Sequence, residues 1–515
     1  MRMYILPTAK RSVEQSFLRR ATFTSLAIAI ASMCLPVSAA GPLREKQQSA
    51  KFRQIDDAYD ADDCAKVLRL GQPIVHRADK RALDSKLGAR AVELVVQCER
   101  VSGATGQAHV DAVMGTSLEN SSDALWRVRF LLELQGKMNK AAVATLTEMS
   151  QGRVPALNSI PLRWVGELLR NLRDNHQDAL RERALILLTS DQYLPDEAYG
   201  PFDGFRLDLA RLRTAGGHPD EARSLLADLV SPDAIASARL DPRLRPLMVG
   251  APDERVAAEQ QLVQFRRAIR DHPDQLNALV QASAVLRMLG RPQEAIDLLQ
   301  SVADQVDDST AFVDRDSKLN WWWDELARSY KSLNQYEKAA SAYRSGAAVG
   351  ENGALNFSQM INLADLQILF GRPKEALQTL TVFDDLNRSG SPYGLMMLHS
   401  SRGCAFASLG EREQLAKEVD YIRAHEKDAP AAVTDIALCG GDDDAAAASL
   451  IKRLADPDQR VGALLALSDY ADPPVKRPPT AYGSTYLRVV ERADVKAAIA
   501  AAGGTRRFAV LEFDS

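Results

Sequence analysis

Residues 320–346 read NWWWDELARSYKSLNQYEKAASAYRSG, and the spacing of their apolar and small residues is that of two amphipathic helices. The positions that share one helical face are Trp323, Leu326, Ala327 and Tyr330 in a first helix and Tyr336, Ala339, Tyr343 and Gly346 in a second, with the turn at Asn334. A helical pair of this size cannot bury its apolar face alone, so it has to stack on similar neighbours. The stretch therefore predicts an all-α fold, an α-solenoid of stacked antiparallel helix pairs.

A turn-and-start signal recurs three times outside that stretch. It reads G-H-P-D-E-A at 217–222, G-R-P-Q-E-A at 290–295 and G-R-P-K-E-A at 371–376. Glycine can end a helix in the left-handed conformation, proline fits an early helical position that needs no amide donor, and glutamate favours the positive end of the next helix. The signals and their flanking apolar segments predict helix pairs at 206–230, 277–303, 320–346, 357–383 and 395–424.

Other parts of the chain match the two-helix period less well. Residues 49–150 suggest two to three degenerate pairs and residues 161–190 one more. A polar loop with Gly and Pro follows at 191–204, and it is the expected flexible joint. Between 231 and 274 the period slips, which predicts a bend or a break in the superhelix.

These patterns predict four segments. They are a signal peptide at 1–40, degenerate helical repeats at 41–195, the well-matched repeat array at 205–456, and a terminal segment at 457–515. The terminal segment combines a Pro-rich linker, one amphipathic helix suited to cap an open end, and a tail. Whether the tail sequence RRFAVLEF adds a short strand or simply docks stays open.

The first forty residues have the pattern of a secretory signal peptide. Arg19 and Arg20 precede ATFTSLAIAIASMCLPVSAA, a run that is short and rich in small residues for a membrane span. An uncleaved anchor is a less favoured alternative. Lipid attachment at Cys34 is another, and it is disfavoured because Met33 stands where lipid signals need a small residue. No second run of about 18 apolar residues follows. The prediction is a protein of the bacterial periplasm with no integral membrane span after cleavage.

Charge and composition narrow the class of partner. Removing residues 1–40 deletes five basic residues and one acidic residue, which takes the formal charge from −4 to −8. An acidic chain argues against nucleic acid as a partner. Aromatic residues make up only 6% of the chain, while Ala, Leu, Arg and Glu are abundant, as in helical proteins.

Four cysteines remain after removal of the signal peptide, and in an oxidising compartment an even number favours pairing. Cys64 opens the second helix of one predicted pair, and Cys98 closes the first helix of the next. Adjacent antiparallel helices bring such ends together, which predicts a Cys64–Cys98 disulfide. Cys404 and Cys439 both fall on first helices, and they either form a second bridge or remain two buried thiols.

No pattern in the sequence points to catalysis, a cofactor or a metal. The seven histidines lie in no H-E-x-x-H or similar spacing, and nucleophile-elbow, P-loop and dinucleotide-binding motifs are absent from the sequence. The acidic run Asp442–Asp444 is interpreted as caps and dipole partners at a helix start, in preference to a cation site. We therefore expect a protein that is not an enzyme and has no cofactor.

The two-helix unit resembles a tetratricopeptide repeat, strongly over 205–456 and weakly over 49–190. The resemblance implies a right-handed superhelix whose first helices line an inner groove that binds peptides or other proteins. The inner-face positions it implies, and hence the candidate partner-binding residues, are Trp321, Asp324, Arg328, Lys331, Asn277, Asn362 and Asp365, with Gln281, Arg287, Ser358 and Ile361 beside them. The paired Lys and Asn pattern by which some members hold a C-terminal carboxylate is not visible in this sequence.

Three consecutive tryptophans have to be assigned to different surroundings, because neighbouring side chains point about 100° apart around a helix. Trp323 is expected in the core and Trp322 between helix pairs. Trp321 is expected to face the groove as an aromatic anchor beside Arg328. Packing of Trp321 against the preceding pair is the alternative.

The sequence thus predicts a non-catalytic periplasmic scaffold that binds a protein or peptide of the cell envelope in its concave groove. One alternative keeps the fold and makes the ligand a glycan, as in polysaccharide export. Another alternative makes the chain an accessory subunit of an envelope enzyme, which requires a closed pocket with convergent carboxylates.

Overall fold

A computed structural model describes residues 41–76, 83–195, 203–350, 355–383 and 390–511. The predicted signal peptide at 1–40 lies outside these residues. The chain divides into two compact units, residues 1–198 and 199–515, and the division falls inside the loop that the sequence predicts as a joint.

The first unit contains nine helices in its described part. They are α1 (Gly41–Asp60), α2 (Cys64–Val75), α3 (Lys86–Val101), α4 (Thr105–Thr116), α5 (Asp123–Gln135), α6 (Asn139–Gly152), α7 (Val154–Asn158), α8 (Leu162–Asp174) and α9 (Asp178–Leu188). Most helices that follow one another in the chain pack together, and α1, α2, α3 and α4 share one hydrophobic core with Leu125, Val128 and Leu132 of α5.

The second unit continues the same architecture. Its described helices are α10 (Asp203–Ala215), α11 (Pro219–Ala227), α12 (Pro232–Leu240), α13 (Glu254–Asp271), α14 (Leu276–Met288), α15 (Pro292–Gln300), α16 (Arg315–Ser332), α17 (Tyr336–Ala348), α18 (Phe357–Leu369), α19 (Pro373–Leu380), α20 (Pro392–Leu409), α21 (Arg412–Ala424), α22 (Pro430–Gly440), α23 (Asp443–Ala455), α24 (Arg460–Leu467), α25 (Ala481–Val490) and α26 (Ala493–Ala502). Short 3₁₀ turns occur at Arg245–Leu247, Thr381–Phe383 and Glu426–Asp428.

One turn geometry joins the two helices of each pair. A residue with positive φ stands two positions before the second helix. The backbone amide of the residue after it donates to the carbonyl five residues earlier, so a carbonyl at the end of the first helix is hydrogen-bonded. Ten such turns occur in the described ranges, at Asp62, Gly103, Lys137, His176, Gly217, Gly290, Asn334, Gly371, Gly410 and Gly441. The three proline-containing signals fall on Gly217, Gly290 and Gly371, so they mark these turns as the sequence predicts.

The architecture is all-α, an array of stacked helix pairs. Across the described residues there is no β-strand, and the only β-type contact there is an isolated parallel bridge between Asp469 and Arg507. In the same part of the chain, no helix combines the length and apolar character that crossing a membrane requires. The slipped period at 231–274 corresponds to α12, a 3₁₀ turn and α13.

The tryptophan assignment made from the sequence is wrong in part. Trp322 is the core residue, at 1% exposure, because Leu319, Trp322 and Leu326 share the face of α16 that the neighbouring helices cover. Trp323 is only partly buried and lies edge-on to Trp322, with ring centroids 4.6 Å apart. Trp321 keeps 38% of its surface exposed.

Two disulfides join neighbouring pairs, one in each unit. Cys64 and Cys98 link α2 to α3, and Cys404 and Cys439 link α20 to α22. The first pairing is the one that the sequence predicts, and the second is the bridge that the sequence left open. Each disulfide closes a segment about as long as one repeat, since the paired cysteines are 34 and 35 residues apart in sequence.

The end of the second unit packs back onto its beginning. Helix α24 contacts α12, and the buried tail residues Phe508 and Val510 share a hydrophobic cluster with Ala236 and Leu240 of α12. The amide of Leu511 donates to the carbonyl of Met288 at the end of α14, at 2.9 Å. The described helices α12 to α24 and the tail therefore form a closed circuit.

This closure corrects the prediction of one helix that caps an open end. The terminal segment contains α24 before the Pro-rich linker and two helices after it, because Arg492 takes an extended backbone conformation (φ −62°, ψ 141°) between α25 and α26. Its guanidinium pairs with Asp494 in the first turn of α26, at 2.9 Å, where an acidic side chain favours a new helix start. The tail docks beside residues 469–471 with a single bridge.

Candidate functional site

A row of polar contacts connects the first helices of the second unit. Helices α14, α16, α18, α20 and α22 pack side by side in that order. We call the hydrogen bonds that join neighbouring helices of this row the polar ladder; its members are Arg287 with Glu325, Asn362 with Asp324, Ser401 with Asp365, and Tyr482 of α25 with Asp435 of α22. In each contact a carboxylate on one helix accepts from a donor on another.

The first contact of the polar ladder is a buried ion pair. Arg287 Nε lies 3.3 Å from Glu325 Oε2 and Arg287 Nη2 lies 3.4 Å from Glu325 Oε1, so the contact is two-pronged. The two residues are only 5% and 7% exposed. A buried charge needs such a partner, since an unpaired one would carry a large desolvation cost. Arg287 therefore serves the structure and is not available to a ligand.

The second contact positions three of the predicted site residues. Asp324 is 1% exposed and accepts from Arg328 Nε at 2.6 Å and from Asn362 Nδ2 at 2.8 Å. Because both of its oxygens are used and buried, Asp324 orients Arg328 and Asn362 and does not itself reach a ligand. Arg328 and Asn362 remain partly accessible.

The third contact holds a carboxylate that solvent can reach. Asp365 is an exposed residue whose Oδ1 accepts from Ser401 Oγ at 2.6 Å. The surrounding helices still exclude enough water to raise the pKa of Asp365 to about 6, and the negative charge of Asp435 adds to this effect. The Ser401 hydroxyl and the positive charge of Lys331 act in the opposite direction. Lys331 and Asp365, both predicted site residues, are thus near neighbours on α16 and α18.

The fourth contact extends the row beyond the predicted array. Tyr482 OH donates to Asp435 Oδ1 at 3.0 Å, and Tyr482 keeps 38% of its surface exposed. Desolvation raises the pKa of Asp435 and also that of Tyr482, while burial lowers the pKa of the nearby Arg453 guanidinium. This end of the row therefore contains the partly desolvated side chains of Asp435 and Tyr482, with the buried guanidinium of Arg453 nearby.

Two predicted site residues stand apart from these contacts. Asn277 is 5% exposed at the start of α14, where its backbone amide donates to Asp314 Oδ2 at 2.9 Å. That position is structural, and it gives Asn277 no accessible side chain. Trp321 lies one helical turn before Asp324 and presents an exposed ring. It is the large aromatic of α16 that a ligand can reach.

The sequence prediction missed Ser401, Asp435 and Tyr482. A signal existed for the first two, because Asp365, Ser401 and Asp435 are spaced by 36 and 34 residues, about one repeat each. Tyr482 carried no such signal, since it follows the Pro-rich linker and reaches Asp435 only through the packing of α25 on α22.

Four side chains on or beside this row are accessible and can contact a ligand. We call Trp321, Lys331, Asp365 and Tyr482 the inner polar face; together they offer an aromatic surface, a cation, an acceptor and a phenol on three different helices. Such groups recognise the charged side chains and backbone amides of another chain.

Comparison with known proteins identifies no family for this chain. No protein-family model and no curated protein matches the chain. Among solved structures, similar chains occur in the "Crystal structure of APC/C hetero-tetramer Cut9-Hcn1", with 12% identity, 90% of this chain and 98% of that chain covered, and a TM-score of 0.24. Another occurs in the "Structure of Naa15/Naa10 bound to HypK-THB", with 13% identity, 88% and 76% covered, and a TM-score of 0.25. TM-scores this low carry no functional argument, and the array of helix pairs rests on the structure of this chain.

Proposed function

We propose that this protein is a non-catalytic scaffold that binds a protein or peptide segment along the inner polar face of its second unit. The observation that carries the proposal is that Trp321, Lys331, Asp365 and Tyr482 remain accessible on packed helices of the second unit. An accessible carboxylate such as Asp365 can accept from a cationic or amide donor of a bound chain.

The spacing of the inner polar face fits an extended chain. Neighbouring packed helices lie about 10 Å apart, which corresponds to about three residues of extended peptide at 3.3 Å each. A bound segment would therefore place every third residue opposite the next helix of the row. Trp321 would supply the aromatic contact that dominates many interfaces, and Asp365 with Lys331 would set the charge pattern.

The proposed compartment is the periplasm, or another oxidising space outside the cytoplasm. The two disulfides support it, since such bonds persist where thiols are not kept reduced. The pattern of the first forty residues supports it as well, because it is that of an export signal.

Panning a random peptide library on the full chain with both disulfides formed tests the proposal. Peptides that the protein retains are then measured by calorimetry against Trp321→Ala, Asp365→Asn and the control Arg344→Ala, an exposed residue on the second helix α17. We expect Trp321→Ala and Asp365→Asn each to weaken binding at least about tenfold, as loss of a central contact does, and Arg344→Ala to leave it unchanged.

Applying the same protein to a glycan array distinguishes peptide binding from the main alternative, a scaffold that binds glycans. Retention of glycans but no peptides would overturn the proposal in favour of a carbohydrate scaffold. Peptide binding that ignores both Trp321→Ala and Asp365→Asn would keep a peptide ligand but move its site away from the inner polar face.

A further inference from the structure

Three side chains of the first unit converge although they come from three helices. His76 follows the last residue of α2, Glu99 lies near the end of α3, and Asp111 lies in the second half of α4. One possible ligand atom from each lies within 4.8 Å of the other two. Neither the repeat pattern nor the proposed binding face of the second unit accounts for this group.

Glu99 has a carboxylate oxygen whose hydrogen-bonding capacity is unused. The residue is 0% exposed, its Oε1 accepts from Gln72 Nε2 at 2.8 Å, and its Oε2 is buried with no hydrogen-bond partner. Leaving a buried carboxylate oxygen without a partner costs free energy. Burial raises the pKa of Glu99, and the nearby Asp111 carboxylate adds to the effect.

Asp111 and His76 complete the group. Asp111 is 2% exposed, its Oδ2 lies 2.9 Å from His76 Nε2, and its Oδ1 accepts from Gln107 Nε2 at 3.0 Å. The His76 side chain is 41% exposed, so the cluster opens to solvent on the imidazole side. Two adjacent buried carboxylates repel each other, and a cation placed between them and the imidazole would remove that repulsion.

We propose that His76, Glu99 and Asp111 bind one divalent transition-metal ion, with Zn²⁺ as the best match. Imidazole nitrogen and carboxylate oxygens are a zinc ligand set, and three protein ligands with one open position accommodate a water molecule. Ligand atoms 2.0 to 2.2 Å from a tetrahedral ion lie about 3.4 Å apart. In this structure His76 Nε2 and Asp111 Oδ2 are 2.9 Å apart, and no separation within the group exceeds 4.8 Å. Mg²⁺ and Ca²⁺ prefer oxygen ligands alone and fit the imidazole less well.

The surrounding residues support such a site. Gln72 and Gln107 each donate to a carboxylate oxygen, and outer partners of this kind orient metal ligands. The Cys64–Cys98 disulfide already ties α2 to α3, so two of the three ligand-bearing helices are held together before any ion binds. The ion would then stabilise the first unit, because it binds the folded state alone.

Zinc titration of the untagged, metal-free full chain with both disulfides formed tests the proposal. We expect one Zn²⁺ per chain in competition with a chromophoric chelator. His76→Ala, Glu99→Gln and Asp111→Asn should each weaken binding at least about 100-fold, since even outer partners are typically worth 10 to 100-fold. His218→Ala is the matched control, because His218 lies 3.6 Å from a single carboxylate, that of Glu221.

Thermal unfolding supplies a readout independent of the chelator. Zn²⁺ should raise the melting temperature of the wild type and of His218→Ala but not that of His76→Ala, whose exposed side chain can be removed without disturbing the core. No zinc binding by the wild type would overturn the proposal. Equal affinity in the wild type and in all three ligand variants would overturn it as well.

Discussion

Glu99 in the first unit and Asp365 in the second both have pKa values raised above the ordinary range of a carboxyl group, and desolvation is the main cause for both. Their surroundings are nevertheless different. Glu99 is fully buried beside a second carboxylate and an imidazole and has one oxygen without a partner, whereas Asp365 is accessible and lies between Ser401 and Lys331. A raised pKa is therefore common to both carboxyl groups, and the groups beside each one decide what it can bind.

The largest effect on the free energy of unfolding should come from removing a buried donor of the polar ladder. The second unit would then contain a buried carboxylate that has lost its main partner, which makes it more like Glu99. Arg287→Ala leaves Glu325 buried without its two-pronged partner, so we expect it to lower the free energy of unfolding by about 3 to 5 kcal/mol in urea titrations. Arg291→Ala is the control, because its pair with Glu294 is on the surface and should be worth at most about 1 kcal/mol. A loss as small as that of the control would mean that the polar ladder does not stabilise the array.

Removing each disulfide tests whether the two units respond separately. The two loops differ by one residue in length, so Cys64→Ser with Cys98→Ser, and Cys404→Ser with Cys439→Ser, should each destabilise its own unit by about 3 to 4 kcal/mol. Differential scanning calorimetry should show one transition shifted in each double variant. If either double variant shifted every transition equally, the two units would unfold as one.

The ionisation of Asp365 should change the stability of the fold by a smaller amount, and the sign of its pH dependence is defined. Its pKa is higher in the folded protein than the ordinary 3.8, so ionising it opposes folding as the pH rises from about 4 to about 6. Asp365→Asn should therefore melt at the same temperature as the wild type below about pH 4 and at a higher temperature above about pH 7. Solvent access keeps the difference small.

Asp316→Asn is the control for this pH series, because Asp316 is 98% exposed. A difference between Asp365→Asn and the wild type that persisted unchanged at low pH would contradict a dehydrated carboxylate at position 365 and would remove the likeness to Glu99.

The smallest effect on stability should come from Trp321→Ala. Its ring is 38% exposed, and surface substitutions of this kind usually change stability by no more than about 0.5 kcal/mol. Thermal melting should therefore show little change in this variant, in contrast to its expected loss of peptide binding. A large fall in melting temperature would show that Trp321 packs against the preceding helix pair.

Much of the fold could be predicted because the turns leave a local signal. Gly217, Gly290 and Gly371 mark three of them, since glycine adopts positive φ easily and proline follows. Asp62, Lys137 and His176 adopt the same conformation without that composition, which explains why the first unit matched the repeat only weakly. The core position of Trp322 was missed because it depends on which faces of α16 the neighbouring helices cover.

The site was predicted less completely, for a physical reason. A repeat pattern tells which side of a helix faces inward, but burial decides which inward residues stay accessible, so Asp324 and Asn277 became structural while Lys331 and Asp365 remained reachable. Tyr482 reaches Asp435 across 47 residues of chain, and the cluster of His76, Glu99 and Asp111 joins three helices. Contacts between residues this far apart in sequence leave no local pattern.

The closed circuit of the second unit has a consequence for how the chain folds during synthesis. Helix pairs of an open array can form one after another as they emerge, since each contacts only its neighbours. Here Arg255 Nη1 in α13 donates to the carbonyl of Ala509, a separation of 254 residues, so this contact can form only after most of the second unit has been synthesised. Such a loop costs conformational entropy and slows the final step, although most contacts are local. We expect that deleting residues 505–511 would leave helix formation intact but make the second unit melt at its two ends first.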